Sequence, residues 1–195
     1  VRALVVYCHP NPASYCAHLR DEVLAALATR RADVRLLDLY AMGFDPVMGR
    51  DERLSYRTAG VNEAPVREHL DHLLWADTLV FVYPTWWFNV PAMLKGWLDR
   101  VLVPHVTFSL PTAEAPAGPL LLNIRVVAAI TTCGARNWQS KLVGEPGRRT
   151  LLRGVRLVCH PRCRTRYAAL YRIDTSSHAD RVAYAGRVRA LVEAL

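Results

Sequence analysis

Residues 81–102, FVYPTWWFNVPAMLKGWLDRVL, change character twice. An apolar run meets Pro84, three aromatic residues follow in succession, and beyond Pro91 the apolar residues return at helical spacing. Leu94, Trp97, Leu98 and Val101 stand at i, i+3, i+4 and i+7, the buried stripe of a helix. Pro91 suits a first helical turn, where no backbone donor is needed. The apolar run before the turn reads as a strand covered on both faces. Three adjacent side chains in a loop cannot all point into one core. At least one of Trp86, Trp87 and Phe88 is therefore expected to face a cavity or a second subunit. Flat rings beside free backbone amides suit a large planar heteroaromatic ligand, the rings as a wall and the amides bonding its edge.

Working outward, the same alternation repeats. RALVVY (residues 2–7) and DTLVFVY (77–83) are nearly continuous apolar strands, and DVRLLDLY, NIRVVAAITT and RTRYAALYR (164–172) complete a set of five. Helices are expected between them: one carrying Leu19, Val23 and Leu27, one over about 63–75 with Val66, Leu70, Leu73 and Leu74 inward, the one after Pro91, one from about Arg148 through Leu152, Val155 and Val158, and a closing one with Tyr184, Val188, Leu191, Val192 and Leu195. The segment MGFDPVMGRDERLSYRTAG reads as a long polar loop. Apolar strands alternating with helices make an α/β fold, a parallel sheet with helices on both faces, in one domain over residues 1–195.

Ligands in such sheets lie beyond the carboxyl ends of the strands, where strand order reverses. That rule selects three loops: CHPNPAS after the first strand, PTWWFN after the third and TTCGARNW after the fourth. In the first, Ser14 can cap a helix whose free amides form an anion site, and His9 offers a further donor, cationic if protonated. In the third, the hydroxyls and amides of Thr131, Thr132, Cys133 and Gly134 can bond the rim of a planar ligand held by the second. Neither a G-x-G-x-x-G nor a Walker phosphate loop is present.

Composition sets the remaining bounds. The 195 residues are 52% hydrophobic, enough for one real core. No apolar run is long enough to span a bilayer and no secretory leader pattern opens the chain, so a cytoplasmic protein that is not membrane-embedded is expected. Five scattered cysteines make no disulfide framework, and Cys159 and Cys163 with His160 lack a second metal-binding pair, so no metal site is expected. The net charge of +8 resides in the C-terminal part: eleven arginines from Arg148 onward face only Asp174, Asp180 and Glu193. No nucleic-acid-binding motif accompanies them, so no nucleic-acid partner is expected.

YPTWWFNVPAMLKGWLDRVL closely resembles the signature of the NAD(P)H:quinone oxidoreductases of the modulator-of-drug-activity type, in the flavodoxin-like superfamily. VVYCHPNPAS resembles that family's phosphate loop, DLYAMGFDPVM its segment after the second strand, and ITTCG its Thr-Thr-Gly-Gly turn; the likeness runs in order over residues 3–134. It implies a flavodoxin-like three-layer sandwich with sheet order 2-1-3-4-5 and a flavin, FAD or FMN. His9, Ser14, Tyr15 and Cys16 would lie at its phosphates, and Pro84, Thr85, Trp86, Trp87 and Phe88 along its ring. Thr131, Thr132, Cys133 and Gly134 would lie at its far edge. It further implies NAD(P)H as hydride donor, a quinone-like small-molecule acceptor reduced by two electrons in ping-pong order, and a homodimer with the active site at the interface. Trp87, Thr132 and Trp138 are the implied catalytic candidates.

The chain departs from that pattern in places. Cys133 replaces the family's first glycine of the turn, which strains it if positive φ is required there. Cys16 stands where asparagine is common. The family's Tyr and His pair beyond Gly134 is replaced by ARNWQSKLVGEPGRRT, where Trp138, Arg148 and Arg149 are the candidates to act instead. Arginines at a helix N-terminus oppose its dipole unless an anion sits there, which makes the 2′-phosphate of NADPH a candidate ligand. Two other functions fit the same fold: a one-electron carrier of the flavodoxin type, and a regulatory flavoprotein that docks on a membrane transporter.

Overall fold

Eight consecutive residues of β4 (Val126–Cys133) are buried, and seven of the eight in β3 (Thr78–Thr85). Only a sheet covered on both sides can bury such runs. A computed structural model describes all residues, Val1–Leu195. Together with β1 (Arg2–Tyr7), β2 (Asp33–Asp38) and β5 (Arg164–Tyr171), these strands form one parallel sheet in the order β2-β1-β3-β4-β5. Side chains alternate between its faces. Leu4, Val6, Phe81, Tyr83, Val127 and Ala129 pack in one layer under α3 (Arg67–Trp75) and α4 (Ala92–Val101), around the fully buried Trp97. Val5, Tyr7, Val80, Val82, Ala128 and Ile130 pack in the other under α1 (Tyr15–Thr29) and α7 (His178–Glu193). Each large side chain so buried contributes about 1.5–3 kcal/mol.

Both outer helices of the second layer begin at serines. The Ser14 hydroxyl accepts from the Ala17 amide, and Ser177 forms a reciprocal box with Asp180. The guanidinium of Arg30, at the end of α1, donates to the carbonyls of Val192 and Leu195 and ties that helix to the end of α7.

Several expectations are corrected. The long polar loop contains α2 (Arg50–Ser55), anchored where the Glu52 carboxylate takes the Arg100 guanidinium at 2.9 Å. The helix at 63–75 opens as a 3-10 turn (Ala64–Val66), Leu74 faces solvent, and His69 occupies the inward position. Pro91 caps α4 instead of lying in its first turn. The segment after β4 folds as α5 (Asn137–Val143) and α6 (Pro146–Arg149). The latter runs on through a π-type turn (Thr150–Gly154) and a 3-10 turn (Val155–Val158). Cys133 has no positive φ: it is the last residue of β4 and carries no backbone strain.

Candidate active site

The strand order reverses between β1 and β3, and the loops that leave β1, β3 and β4 meet at that edge. Trp86 and Asn89 exchange backbone hydrogen bonds of 3.1 and 3.0 Å, closing a turn whose central residues, Trp87 and Phe88, have φ of 48° and 60°. Positive φ at both central positions is the signature of a type I′ turn, normally built from glycine and asparagine. Here it lifts the Trp87 ring out of the protein, 94% exposed, and leaves Trp86 42% exposed.

Three contacts tie the loops together. The His9 ring packs on the Trp86 ring with centroids 5.9 Å apart. The Thr85 and Thr131 hydroxyls share a hydrogen bond of 2.8 Å, and the buried Cys16 thiol lies 3.6 Å from the Thr132 hydroxyl. Burial pushes that thiol up to about 11, so it stays protonated at neutral pH. The Asn11 amide donates to His9 Nδ1, leaving Nε2 as the donor nitrogen. Burial also lowers the pKa of His9, which favours the neutral donor over the cation among the two forms the sequence allowed.

Beside these contacts, between the segments that leave β3, β4 and β5, lies a cavity of about 680 Å³, lined by residues 84–88, 132–135 and 173–174. No acceptor within the chain takes the amides of Trp87, Phe88, Gly134 or Ala135, which all border it. At the start of α1 the amides of Tyr15 and Cys16 are equally free, as the first donors of a helix are. A wall of rings, a rim of unpaired donors and a nearby helix terminus suit a flat ligand with acceptors along one edge and an anionic tail.

A family model described as a flavodoxin-like fold matches residues 1–185. The chain belongs to that family. It is 39% identical over 101 residues to an uncharacterized NAD(P)H oxidoreductase of Escherichia coli, covering 51% of this chain and 52% of that protein. It is 30% identical over 156 residues to NAD(P)H dehydrogenase [quinone] 1 of Cavia porcellus, covering 71% and 56%. The chain thus spans little more than half the length of these relatives. Among solved structures, the Streptococcus mutans protein Smu.1420 superposes with a TM-score of 0.85 at 27% identity, over 100% of both chains. The NAD(P)H:quinone oxidoreductase of Methanothermobacter marburgensis superposes at 0.81 and 21% identity, over 98% of this chain and 95% of that one, a likeness of fold alone.

Within this flavodoxin-like frame, Pro84, Thr85, Trp86, Trp87, Phe88, Thr132, Cys133 and Gly134 all line the cavity. Thr131 is fully buried behind it and accepts a hydrogen bond from Tyr184 through its carbonyl. His9, Ser14 and Cys16 stand to one side at the start of α1. The Tyr15 hydroxyl turns away to donate to the Arg181 carbonyl at 2.6 Å. Trp138 is exposed on α5 and borders no part of the cavity.

The sequence reading missed Ala135, Ile173 and Asp174. The last two follow β5, where the Arg172 amide donates to the Ala135 carbonyl at 3.1 Å. Only the adjacency of β4 and β5 brings RIDTSS to the site, and nothing in that string signals it. Glu145 was missed as well. Glycine at 144 (φ 91°) and Glu145 itself (φ 48°) are both left-handed, and they turn the carboxylate between the Tyr171 hydroxyl at 2.6 Å and Arg148 at 2.7 Å. Burial opposes its ionisation, but these two donors outweigh burial and hold it below the ordinary range. Burial and the Glu145 bond raise the Tyr171 phenol. Arg148 thus already has its anion, in Glu145.

Proposed function

We propose that this chain is a flavin-dependent NAD(P)H oxidoreductase, a single flavin-binding domain acting in the cytoplasm that reduces quinones or similar acceptors by two electrons. The observation that carries the proposal is an aromatic-walled cavity built by the segments that leave β3, β4 and β5, with lining residues whose amides lack acceptors. The residues present fit a flavin: four unpaired donors face a space large enough for a tricyclic ring, and a fifth and sixth open toward a phosphate at the start of α1. When bound, a flavin accepts a hydride from reduced nicotinamide and passes both electrons to the acceptor.

The chain's own groups then bind and orient. The amides of Trp87 and Phe88, and those of Gly134 and Ala135, would donate to the ring, while Trp86 would wall it and Thr132 would offer a hydroxyl. Fixed donors of this kind favour negative charge that develops on the ring. His9 Nε2 and the free amides of Tyr15 and Cys16 would hold its phosphate, with Ser14 setting the direction of α1. Ping-pong order, with donor and acceptor taking turns over the ring, is part of this reading. The exposed Trp87 ring supports a homodimer in which a second copy covers the site; Trp138 enters the reaction only through such a contact. No helix is long and apolar enough to cross a membrane.

The purified protein is expected to be yellow, to release FMN or FAD identifiable by mass, and to oxidise NADPH or NADH in the presence of a quinone. Thr132→Val is expected to cut turnover roughly a hundredfold, the low end of the range seen when one charge-stabilising donor is removed. A colourless preparation that neither FMN nor FAD reconstitutes ends this reading.

A further inference from the structure

Beside the main cavity lies a second concavity of about 260 Å³, lined by Glu145, Arg148, Arg149, Leu152, Arg153 and Thr165. We propose that it holds the phosphate monoester on the 2′ position of the reduced dinucleotide, so that this chain reads NADPH in preference to NADH. This rests on the oxidoreductase reading above and names its donor.

The three arginines are not equivalent. The guanidinium of Arg148 bonds Glu145 and stands 4.7 Å from the centre of the Tyr167 ring, so it is satisfied and held in place. Arg149 and Arg153 have no carboxylate partner, and both residues line the concavity. They are four residues apart on one helical run, a spacing at which like charges repel. Two unanswered forks on one concave wall match a dianion better than any single carboxylate, since each can grip phosphate oxygens bidentately. Glu145 also lines the concavity, but its oxygens already accept from Tyr171 and Arg148, whose guanidinium balances its charge and leaves Arg149 and Arg153 as net positive charge.

Its position suits the remote end of a dinucleotide and not the reacting ring. Glu145 and Arg148 also border a narrow gap shared with Thr85, Phe88 and Cys133, and those three line the main cavity. The two spaces are therefore neighbours on one surface. Their spacing is rigid because a Cβ on Gly147 would lie 3.0–3.2 Å from the backbone of Asn89 and Val90, so α6 rests directly on the aromatic turn. The π-type turn that carries Arg153 is a rare feature that is frequent at functional sites.

The test is calorimetric titration of the protein as purified with 2′,5′-ADP and with 5′-ADP, which separates a 2′-phosphate from a pyrophosphate. The wild type is expected to bind 2′,5′-ADP at least tenfold more tightly. The Arg149→Ala/Arg153→Ala variant should lose that preference, and Arg149→Lys/Arg153→Lys should keep part of it. Should the double alanine variant fail to fold, the exposed single change Arg153→Gln carries the same comparison at smaller amplitude. Equal binding of the two nucleotides, or a preference that survives removal of both arginines, overturns the proposal. Because binding is read without turnover, the two readings fail separately. A protein that prefers 2′,5′-ADP yet oxidises no NADPH keeps this site and loses the oxidoreductase reading. One that turns over NADPH and NADH alike without the preference does the reverse.

Discussion

Trp87 holds a backbone conformation that L residues avoid, and it gains no burial in return. A left-handed residue costs roughly 1–2 kcal/mol, and Phe88 repeats the cost beside it. Such strain persists where the conformation is needed for function. Trp87→Gly should therefore stabilise the protein. Relief of about 1–2 kcal/mol outweighs the roughly 0.5–1 kcal/mol by which glycine loosens the unfolded chain. The expected net is a gain of about 0.5–1 kcal/mol in urea denaturation, together with flavin affinity at least tenfold weaker by fluorescence titration. A variant less stable than the wild type would show that the ring supports the fold. The peculiarity of this residue was visible in the sequence, because three aromatics in a row cannot share one core. Its positive φ was not, since no rule of composition places tryptophan in a left-handed turn.

Elements show the same division. The stripe on α4 was readable because Leu94, Trp97, Leu98 and Val101 repeat at the helical period and all are buried. Gly96, inside that helix, carries no such sign. A Cβ there would overlap the carbonyl oxygen, Cα and Cβ of Pro46, so the glycine lets the long β2–α3 connection lie against the helix. Gly96→Ala should destabilise the protein by about 1–3 kcal/mol, as overpacking does, despite alanine's better helix propensity. Urea denaturation checks this, and unchanged or higher stability would mean that the connection moves away freely. Cys133 makes the converse point. Its expected strain came from a glycine in related sequences, whereas a residue ending a β-strand needs no positive φ.

At the scale of the whole molecule, the core of the α3–α4 layer contains a histidine. His69 is 8% exposed, its Nδ1 accepts from the Trp97 indole at 3.3 Å, and its pKa is lowered, chiefly by burial. The folded state therefore binds this proton less readily than the unfolded chain does. Its contribution to stability is fully present above the unfolded value of about 6.5 and is lost as pH falls toward the lower folded value. The urea midpoint should decline from pH 7 to pH 5, and less steeply in His69→Gln, whose amide oxygen can accept from Trp97. Identical slopes in the two proteins would remove His69 from the acid response.

What the sequence alone determined was whatever depends on near neighbours along the chain. Strands buried on both faces, amphipathic helices, a serine cap and an aromatic turn are all legible because burial imposes periods of 2 and 3.6 on the order of residues. These were enough to mark three loops at the site. What only the tertiary structure decided was whatever depends on which strand lies beside which: Ile173 and Asp174 at the cavity, Tyr171 bonded to Glu145, and Thr165 of β5 set in one hollow with the two free arginines. Those groups come from separate segments, and packing of the whole sheet, not any local period, brings them together.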